Sequence, residues 1–274
     1  MLSVWDVALF AVLGLTAGIL SGLFGIGGGM VIVPGLFYLF HILDIPYDML
    51  MHLAAGSSMC IMVFTSASSA WSHHLKGDVR WPIFVRIIPA IAVGVTSGKL
   101  FANRLNTDVL ELIFGMFLLF VSLKILLNWL PKPENPGEPK RWLTSVIGTV
   151  LGLKSGILGI GGGAISVPFL LYSGLPMSQA SGTSASFTLP IALVGTISGL
   201  LLTVPPETIP LSTGMIYWPA VALVAPFTML GAPLGTQLCH RVPSGYLKRL
   251  FGAFLLFVGA RLLLEALPNF MDTV

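Results

Sequence analysis

The chain has 274 residues, of which 55% are hydrophobic and only 9% carry a charge, and its formal net charge is +3. Soluble domains carry about 25% charged residues, because their surfaces face water. The composition therefore excludes an ordinary soluble protein and predicts an all-α polytopic membrane protein in contact with the lipid bilayer. No basic block indicates a nucleic-acid partner.

Ten apolar segments follow one another along the chain, and we predict that each is a helix, because helices are the open elements that lipid allows. In the first half they cover about 4–24, 30–42, 52–72, 82–101 and 108–130. In the second half they cover about 142–158, 164–174, 179–203, 215–238 and 246–267. The first segment lacks a basic leader and a clear cleavage site, so we expect a retained span. The second segment of each half is short and fits either a tilted span or a half-helix.

The two halves of the chain repeat one another. Residues 22–34 read G-L-F-G-I-G-G-G-M-V-I-V-P, and residues 156–168 read G-I-L-G-I-G-G-G-A-I-S-V-P. A later W-P…P…G…G pattern also occurs once per half, from Trp81 and from Trp218. We therefore predict a first repeat at 1–130 and a second at 142–274. Between them, a stretch with four prolines predicts a water-exposed cytoplasmic linker at 131–141.

The distribution of Lys and Arg predicts the topology. If all five segments of each half cross, one side of the membrane receives Lys76, Arg80, Lys132, Lys140, Arg141, Arg241, Lys248 and Arg249. The other side receives Lys99, Arg104 and, near a helix end, Arg261. The positive-inside rule favours this arrangement, and with four crossings per half the bias vanishes. We therefore predict about ten transmembrane helices, arranged as two five-helix inverted repeats in the cell inner (cytoplasmic) membrane. Both termini are predicted to lie on the outer side of that membrane.

The repeated glycines predict a break in a membrane helix, since each glycine costs about 1 kcal/mol against alanine in a helix interior. Non-helical backbone at membrane depth is tolerated where it is buried in protein or lines a cavity. The helix that restarts after the break offers free N–H groups and the positive end of its dipole, which suit an anion. The predicted substrate-binding glycines are Gly25, Gly27, Gly28, Gly29, Gly159, Gly161, Gly162 and Gly163. In the alternative interpretation, these glycines serve only close helix packing or a hinge.

Hydroxyl groups near the start of the third segment of each half are further candidates for anion binding: Ser57, Ser58, Thr183 and Ser184. Ordinary hydrogen bonding within and between membrane helices is the alternative. Lys154 precedes the second break, where the first half has Leu20. It either neutralises a bound anion or extends to the cytoplasmic surface.

The remaining ionisable residues in the apolar segments give weaker indications. We expect Arg86, Lys99, Lys124 and Arg261 to reach the membrane surface from near the ends of their helices. Four residues cluster between the second and third segments and either handle protons or form a wet loop: His41, Asp44, Asp48 and His52. No membrane-embedded carboxylate stands out as a sodium or proton site.

The sequence does not suggest an enzyme, a metal site or a cofactor. Cys60 and Cys239 lie in or beside apolar segments and are expected to be small buried hydrophobes. An intramembrane serine protease needs a histidine partner for its serine, and we expect His73 and His74 to lie in a loop.

The doubled G-x-x-G-x-G-G-G-x-(x)3-P motif, together with the W-P…P…G…G segment, resembles the sulfite exporter TauE/SafE family, also called the toluene sulfonate uptake permease family. The resemblance covers nearly the whole chain, and in the motif it includes Pro34 and Pro168. It implies a transporter of the cytoplasmic membrane whose substrate is a small sulfur-containing anion, either sulfite or an organosulfonate.

From the residues and the resemblance together, we expect a secondary transporter that works by alternating access. A non-transporting membrane scaffold or assembly protein and an anion channel are the alternatives. Proton coupling, sodium coupling and uniport are all compatible with the sequence, as is a homo-oligomer.

Overall fold

The computed structural model of the protein describes residues 4–127, 141–202, 209–241 and 244–273. The predicted linker at 131–141 lies, but for Arg141, outside the described residues. Within these ranges the first half forms α1 (Val4–Phe24), α2 (Gly29–Ile42), α3 (Tyr47–Leu75), α4 (Trp81–Ala102) and α5 (Thr107–Leu126). The second half forms α6 (Arg141–Leu158), α7 (Gly163–Tyr172), α8 (Met177–Leu202), α9 (Trp218–Arg241) and α10 (Ser244–Thr273).

Six of the described helices are long and apolar enough to cross a membrane: α1, α3, α4, α5, α8 and α9. The helices α2 and α7 have 14 and 10 residues. At 1.5 Å per residue they rise only about 21 and 15 Å, against a hydrocarbon core of about 30 Å. Neither is long enough to cross alone, so the half-helix interpretation fits both. The protein is a multi-pass, helical membrane protein, and ten full spans remain a prediction.

Two pairs of helices pack through rows of glycine. Helix α1 lies against α9, and every fourth residue on its contact face is a glycine: Gly14, Gly18 and Gly22. Helix α6 lies against α4 in the same way, with Gly148, Gly152 and Gly156 in contact. In both pairs the two helices run parallel, because successive glycines meet successively later residues of the partner. The absent side chains let the backbones approach closely, as in other membrane helix pairs.

The centre of the molecule is formed by α3 and α8, which are antiparallel to one another. Gly182 near the start of α8 faces His73 near the end of α3, and Gly195 faces Met59. The pair α5 and α10 is also antiparallel, with the Ser122 hydroxyl donating to Gly252 O over 2.8 Å. In each of these two pairs, a helix therefore packs against its counterpart in the other half, and the two run in opposite directions.

A short antiparallel hairpin precedes α9. Its strands β1 (Ser212–Thr213) and β2 (Ile216–Tyr217) pair residue Ser212 with Tyr217. The sequence had predicted helix from residue 215, and this is wrong for its first three residues. The backbone N–H of Tyr217 donates to Ser57 Oγ over 2.9 Å, which holds the hairpin against α3.

Candidate functional site

Each glycine motif is a break between two helices. In the first half α1 ends at Phe24 and α2 begins at Gly29, with positive φ at Gly25, Gly27 and Gly28 (66°, 75° and 78°). In the second half α6 ends at Leu158 and α7 begins at Gly163, with φ +68° at Gly159. Side chains other than hydrogen strain these conformations, so the sequence places glycine there. We call residues 25–28 the first break and residues 159–162 the second break.

The two breaks contact one another inside the protein. A Cβ added to Gly29 would lie 2.8 Å from Ile160 Cα, and one added to Gly163 would lie 2.9 Å from Gly25 O. A Cβ on Gly161 would collide with Ile26 O. All residues of both breaks are buried. The first turns of α2 and α7 therefore begin beside each other, although 134 residues separate the two motifs.

The meeting point lies halfway along the central helices. A Cβ on Gly29 would lie 2.9 Å from Met62 Sδ, and Met62 is near the middle of α3. A Cβ on Gly161 would lie 3.0 Å from Thr188 Cγ2, near the middle of α8. Because α3 and α8 are candidate membrane spans, the breaks lie at the depth expected of the membrane centre.

Apart from Gly25 N and Gly159 N, which donate to Ser21 O and Ser155 O, the glycine amides of the breaks are unused in the hydrogen bonding of the backbone. The first bonds of α2 run from Val31 and Ile32 to Gly28 O, and those of α7 run from Ile165 and Ser166 to Gly162 O. Within the described ranges, six glycine amides donate to no backbone oxygen: those of Gly27, Gly28, Gly29, Gly161, Gly162 and Gly163. Buried N–H groups without an acceptor are rare, and helix N-termini of this kind suit an anion.

Three of the four predicted hydroxyls are already engaged within the protein. The Ser184 hydroxyl donates to Gly25 O over 2.7 Å and lies 2.6 Å from Ser166 Oγ. The Thr183 hydroxyl accepts from Arg80 N at 3.0 Å, and Ser57 accepts from the hairpin. These three groups therefore bind neighbouring elements together.

The fourth hydroxyl, that of Ser58, has no hydrogen-bond partner and is fully buried. Among the unpaired buried hydroxyls of the described residues, those of Ser21 and Ser155 each lie one turn before a break. Neither was among the residues predicted from the sequence, although the repeat extends to them: Ser21 and Ser155 stand immediately before the first glycine of each copy. Buried polar groups are almost always paired, so three unpaired hydroxyls near the breaks indicate capacity for a ligand.

Lys154 supports the second break. Its Nζ donates to Gly161 O over 2.7 Å and lies 5.1 Å from the centre of the Phe117 ring. The alternative in which Lys154 reaches the cytoplasmic surface is wrong, because the ammonium is bound beside the break. The side-chain nitrogen of Lys154 therefore lies beside the second break.

A pocket lined mainly by apolar side chains lies between α2, α5, α7 and α10, and it reaches Ile26 of the first break and the first residue of α7. Its wall includes Ile26, Met30, Gly163, Pro168 and Phe251. Lys124 also lines it, so the pocket carries a positive group at one side.

Three sequence expectations about charged residues are wrong. Lys99 does not reach the membrane surface: only 3% of it is exposed, because Gly199 of α8 leaves room for its side chain. His73 does not lie in a loop but in the last turn of α3, fully buried, with Nε2 2.9 Å from Gly22 O and Nδ1 3.1 Å from Asp78 Oδ2. A carboxylate does stand out within a spanning helix, since Glu111 of α5 is fully buried.

Arg86 and Arg261 are exposed. Of the four residues expected between the second and third segments, only Asp44 lies in the loop between α2 and α3. His41 in the last turn of α2 and Asp48 in the first turn of α3 are exposed, as Asp44 is. His52 is half-buried on α3. Cys60 is a buried free cysteine, and the side chain of Cys239 lies outside the described part.

Comparison with known proteins gives the family. The family model for sulfite exporter TauE/SafE matches residues 10–262. A "probable membrane transporter protein" of Haemophilus influenzae is 35% identical over 264 residues, covering 94% of this chain and 98% of the relative. A similar protein of Bacillus subtilis (YunE) is 26% identical, and the match covers 94% of this chain and 98% of the relative. One of Methanocaldococcus jannaschii is also 26% identical, with 93% of this chain and 95% of the relative covered.

No solved structure matches the chain. The family match spans almost the whole sequence, both glycine breaks included, and the similar proteins are full-length matches named as membrane transporters. The chain therefore belongs to the sulfite exporter TauE/SafE family of membrane transporters.

Proposed function

We propose that the protein is a secondary transporter that carries sulfite or an organosulfonate across the cytoplasmic membrane by alternating access. The anion binds where the two breaks meet. Its oxygens accept hydrogen bonds from the free glycine amides and from the hydroxyls of Ser21, Ser58 and Ser155, and Lys154 contributes positive charge nearby.

One observation carries this proposal: two helix N-termini from opposite halves of the chain begin side by side in the buried centre, with amides that donate to no backbone oxygen. Anions are stabilised at such termini by the amides and by the helix dipole. The packing alternative accounts well for the glycine rows of α1 and α6, but these are spaced four apart and lie within helices. It does not account for breaks with positive φ and unused amides.

The proposed architecture is a pair of inverted five-helix repeats with ten crossings. The antiparallel pairing of α3 with α8 and of α5 with α10 supports inversion, because the two members of each pair are equivalent positions of the repeat. The parallel pairs α1/α9 and α4/α6 are also equivalent, because each joins the first helix of one half to the fourth helix of the other half. Inverted repeats with broken helices at their centre are a common basis for alternating access.

In this mechanism, rocking of one half against the other exposes the breaks to each side in turn. The apolar pocket beside Lys124 serves as the path from one side. An anion that leaves a cell with a negative interior gains about 2.3 kcal/mol per charge per 100 mV, so export does not require a coupling ion.

Counterflow in proteoliposomes tests this function. We expect labelled sulfite or methanesulfonate to enter vesicles that contain the same unlabelled anion, with saturable kinetics. Saturable counterflow distinguishes a transporter from an anion channel. A scaffold or assembly protein shows no movement of either anion, and that result would falsify the proposal.

A matched pair of variants ties the flux to the breaks. Gly161→Ala places a methyl group against Ile26 O and separates the two breaks, so we expect counterflow to be lost. Gly162 has an ordinary φ of −74°, and a Cβ added there would lie 3.2 Å from its nearest neighbour, the flexible end (Cδ1) of Ile191. We therefore expect Gly162→Ala to retain most of the flux. Equal flux in both variants argues against the breaks as the binding site.

A further inference from the structure

We propose that Glu111 is a proton-binding site that couples anion movement to a pH gradient, and that it exchanges its proton with water through Tyr47 and Asp108. The inference rests on the proposed transport function and adds a coupling ion and its residue.

Glu111 is a carboxyl group in a place where a bare charge is costly. It lies on the candidate span α5 and is 0% exposed. Its Oε1 has no hydrogen-bond partner within the described residues. A buried carboxylate without a cation is strongly destabilised, and a bound proton removes that charge.

The hydrogen bonds of Tyr47 also indicate a proton on Glu111. The Tyr47 hydroxyl oxygen lies 2.8 Å from Glu111 Oε2 and 3.0 Å from Asp108 Oδ1. A phenol has one hydrogen to donate, so it bonds to one carboxylate oxygen and needs a hydrogen from the other. Asp108 is only half-buried, so the proton belongs on Glu111: Glu111 donates to Tyr47, and Tyr47 donates to Asp108.

Several ionisable groups lie near Glu111 or near one of its neighbours: Tyr38 on α2, Tyr47, Asp48 and His52 on α3, Lys99 on α4, Asp108 on α5, and Arg261 and Glu265 on α10. The guanidinium of Arg261 is engaged elsewhere, 2.9 Å from Glu265 Oε1 and 4.5 Å from the Tyr38 ring centre. The acidic neighbours Asp108 and Glu265 add negative charge, which also favours a proton on Glu111.

The exchange step moves one proton and balances. Glu111 gives its proton to the Tyr47 oxygen while the Tyr47 hydrogen passes to Asp108 Oδ1. Glu111 becomes a carboxylate, Tyr47 is again a neutral phenol, and Asp108 releases the proton to water. The relay opens at the membrane face where α3 and α5 begin, which is the outer face in the proposed topology.

The test uses labelled methanesulfonate, because its charge does not change with pH in the working range. In proteoliposomes held at zero membrane potential, one proton per anion supports about tenfold accumulation for each unit of pH difference. We expect the unaltered protein to accumulate the anion under a pH gradient. E111Q keeps counterflow but loses this accumulation, and Y47F slows it.

The control is Asp44→Asn, which neutralises an exposed carboxylate of the loop before α3 in a left-handed conformation that asparagine tolerates. We expect its accumulation to match that of the unaltered protein. The inference is overturned if E111Q still accumulates methanesulfonate, or if a sodium gradient rather than a pH gradient drives uptake. If the unaltered protein shows no counterflow, that result contradicts the proposed transport function instead.

Infrared difference spectra of the purified protein decide the protonation of Glu111 without any flux. A pH-dependent carboxylic acid C=O band is expected in the unaltered protein and in Asp44→Asn, and it is missing in E111Q. An identical band in E111Q overturns the assignment, whatever the transport result.

Discussion

The hydroxyl of Ser58 is the clearest residue-scale test of anion binding, because it is buried and bonded to nothing. Ser58→Ala removes no hydrogen bond of the protein, so we expect unchanged thermal stability. A hydrogen bond to a charged group is worth about 1.5–3 kcal/mol, so anion affinity falls about tenfold or more. Titration of the purified protein with sulfite measures the change. The hydroxyls do not bind the anion if its affinity is unchanged in all three variants: Ser58→Ala, Ser21→Ala and Ser155→Ala.

For Ser184 we expect the opposite of Ser58: its hydroxyl stabilises the fold. It donates to Gly25 O and contacts Ser166 Oγ in the buried centre. Because the single Ser184 hydrogen goes to Gly25 O, Ser166 donates to Ser184 Oγ. Ser184→Ala leaves that acceptor and that donor unpaired, and we expect a loss of about 1–3 kcal/mol in the free energy of unfolding. Thermal unfolding with and without the anion is the measurement. If Ser184→Ala is as stable as the unaltered protein, the structural role assigned to this hydroxyl is incorrect.

At the residue scale the sequence indicated the types of residue but not their partners. Ser58 and Ser184 each stand two residues after a glycine at matching places of the repeat, and only the fold distinguishes the bonded hydroxyl from the unpaired one. Glu111 follows Asp108 in what reads as the acidic first turn of a helix, which is normally near water. Its burial comes from neighbouring helices that are distant in sequence.

At the scale of helices, glycines that pack and glycines that break a helix should behave differently. Gly94 lies within α4, and an added Cβ would lie 2.8 Å from Leu153 N of α6. Gly94→Ala forces two backbones apart, and overpacking costs about 1–3 kcal/mol. We expect lower thermal stability with unchanged anion affinity in the folded protein. A loss of affinity without a loss of stability contradicts this division.

The extents of most helices were predictable, because apolar runs must match the membrane and glycine or proline clusters end them. The segment 52–72 is an exception, since α3 begins five residues earlier, at Tyr47. The predicted segment 82–101 is observed as Trp81–Ala102, and 142–158 as Arg141–Leu158. The hairpin before α9 was not predictable, since its two-residue strands hold position through a bond to Ser57 on α3. The contact between the breaks was also beyond the sequence, because it joins two distant segments.

At the scale of the whole molecule, the inverted arrangement predicts which loops share a side of the membrane. The loop before α3 and its counterpart before α8 should face opposite sides. In a chain with Cys60 and Cys239 replaced by alanine, we expect a cysteine at Asp44 to react with an impermeant reagent in intact cells. A cysteine at Gly174 should react only after permeabilisation. Labelling of both from the same side rules out inversion.

The central claim is that the free amides of two helix breaks bind one anion, and a titration of the 15N-glycine-labelled protein with sulfite tests it most directly by NMR. We predict saturable changes in the amide signals of the break glycines, Gly27 and Gly161 among them, assigned by their loss in alanine variants. The signal of the packing glycine Gly94 stays constant. Saturable binding that leaves the signals of both breaks unchanged contradicts the account.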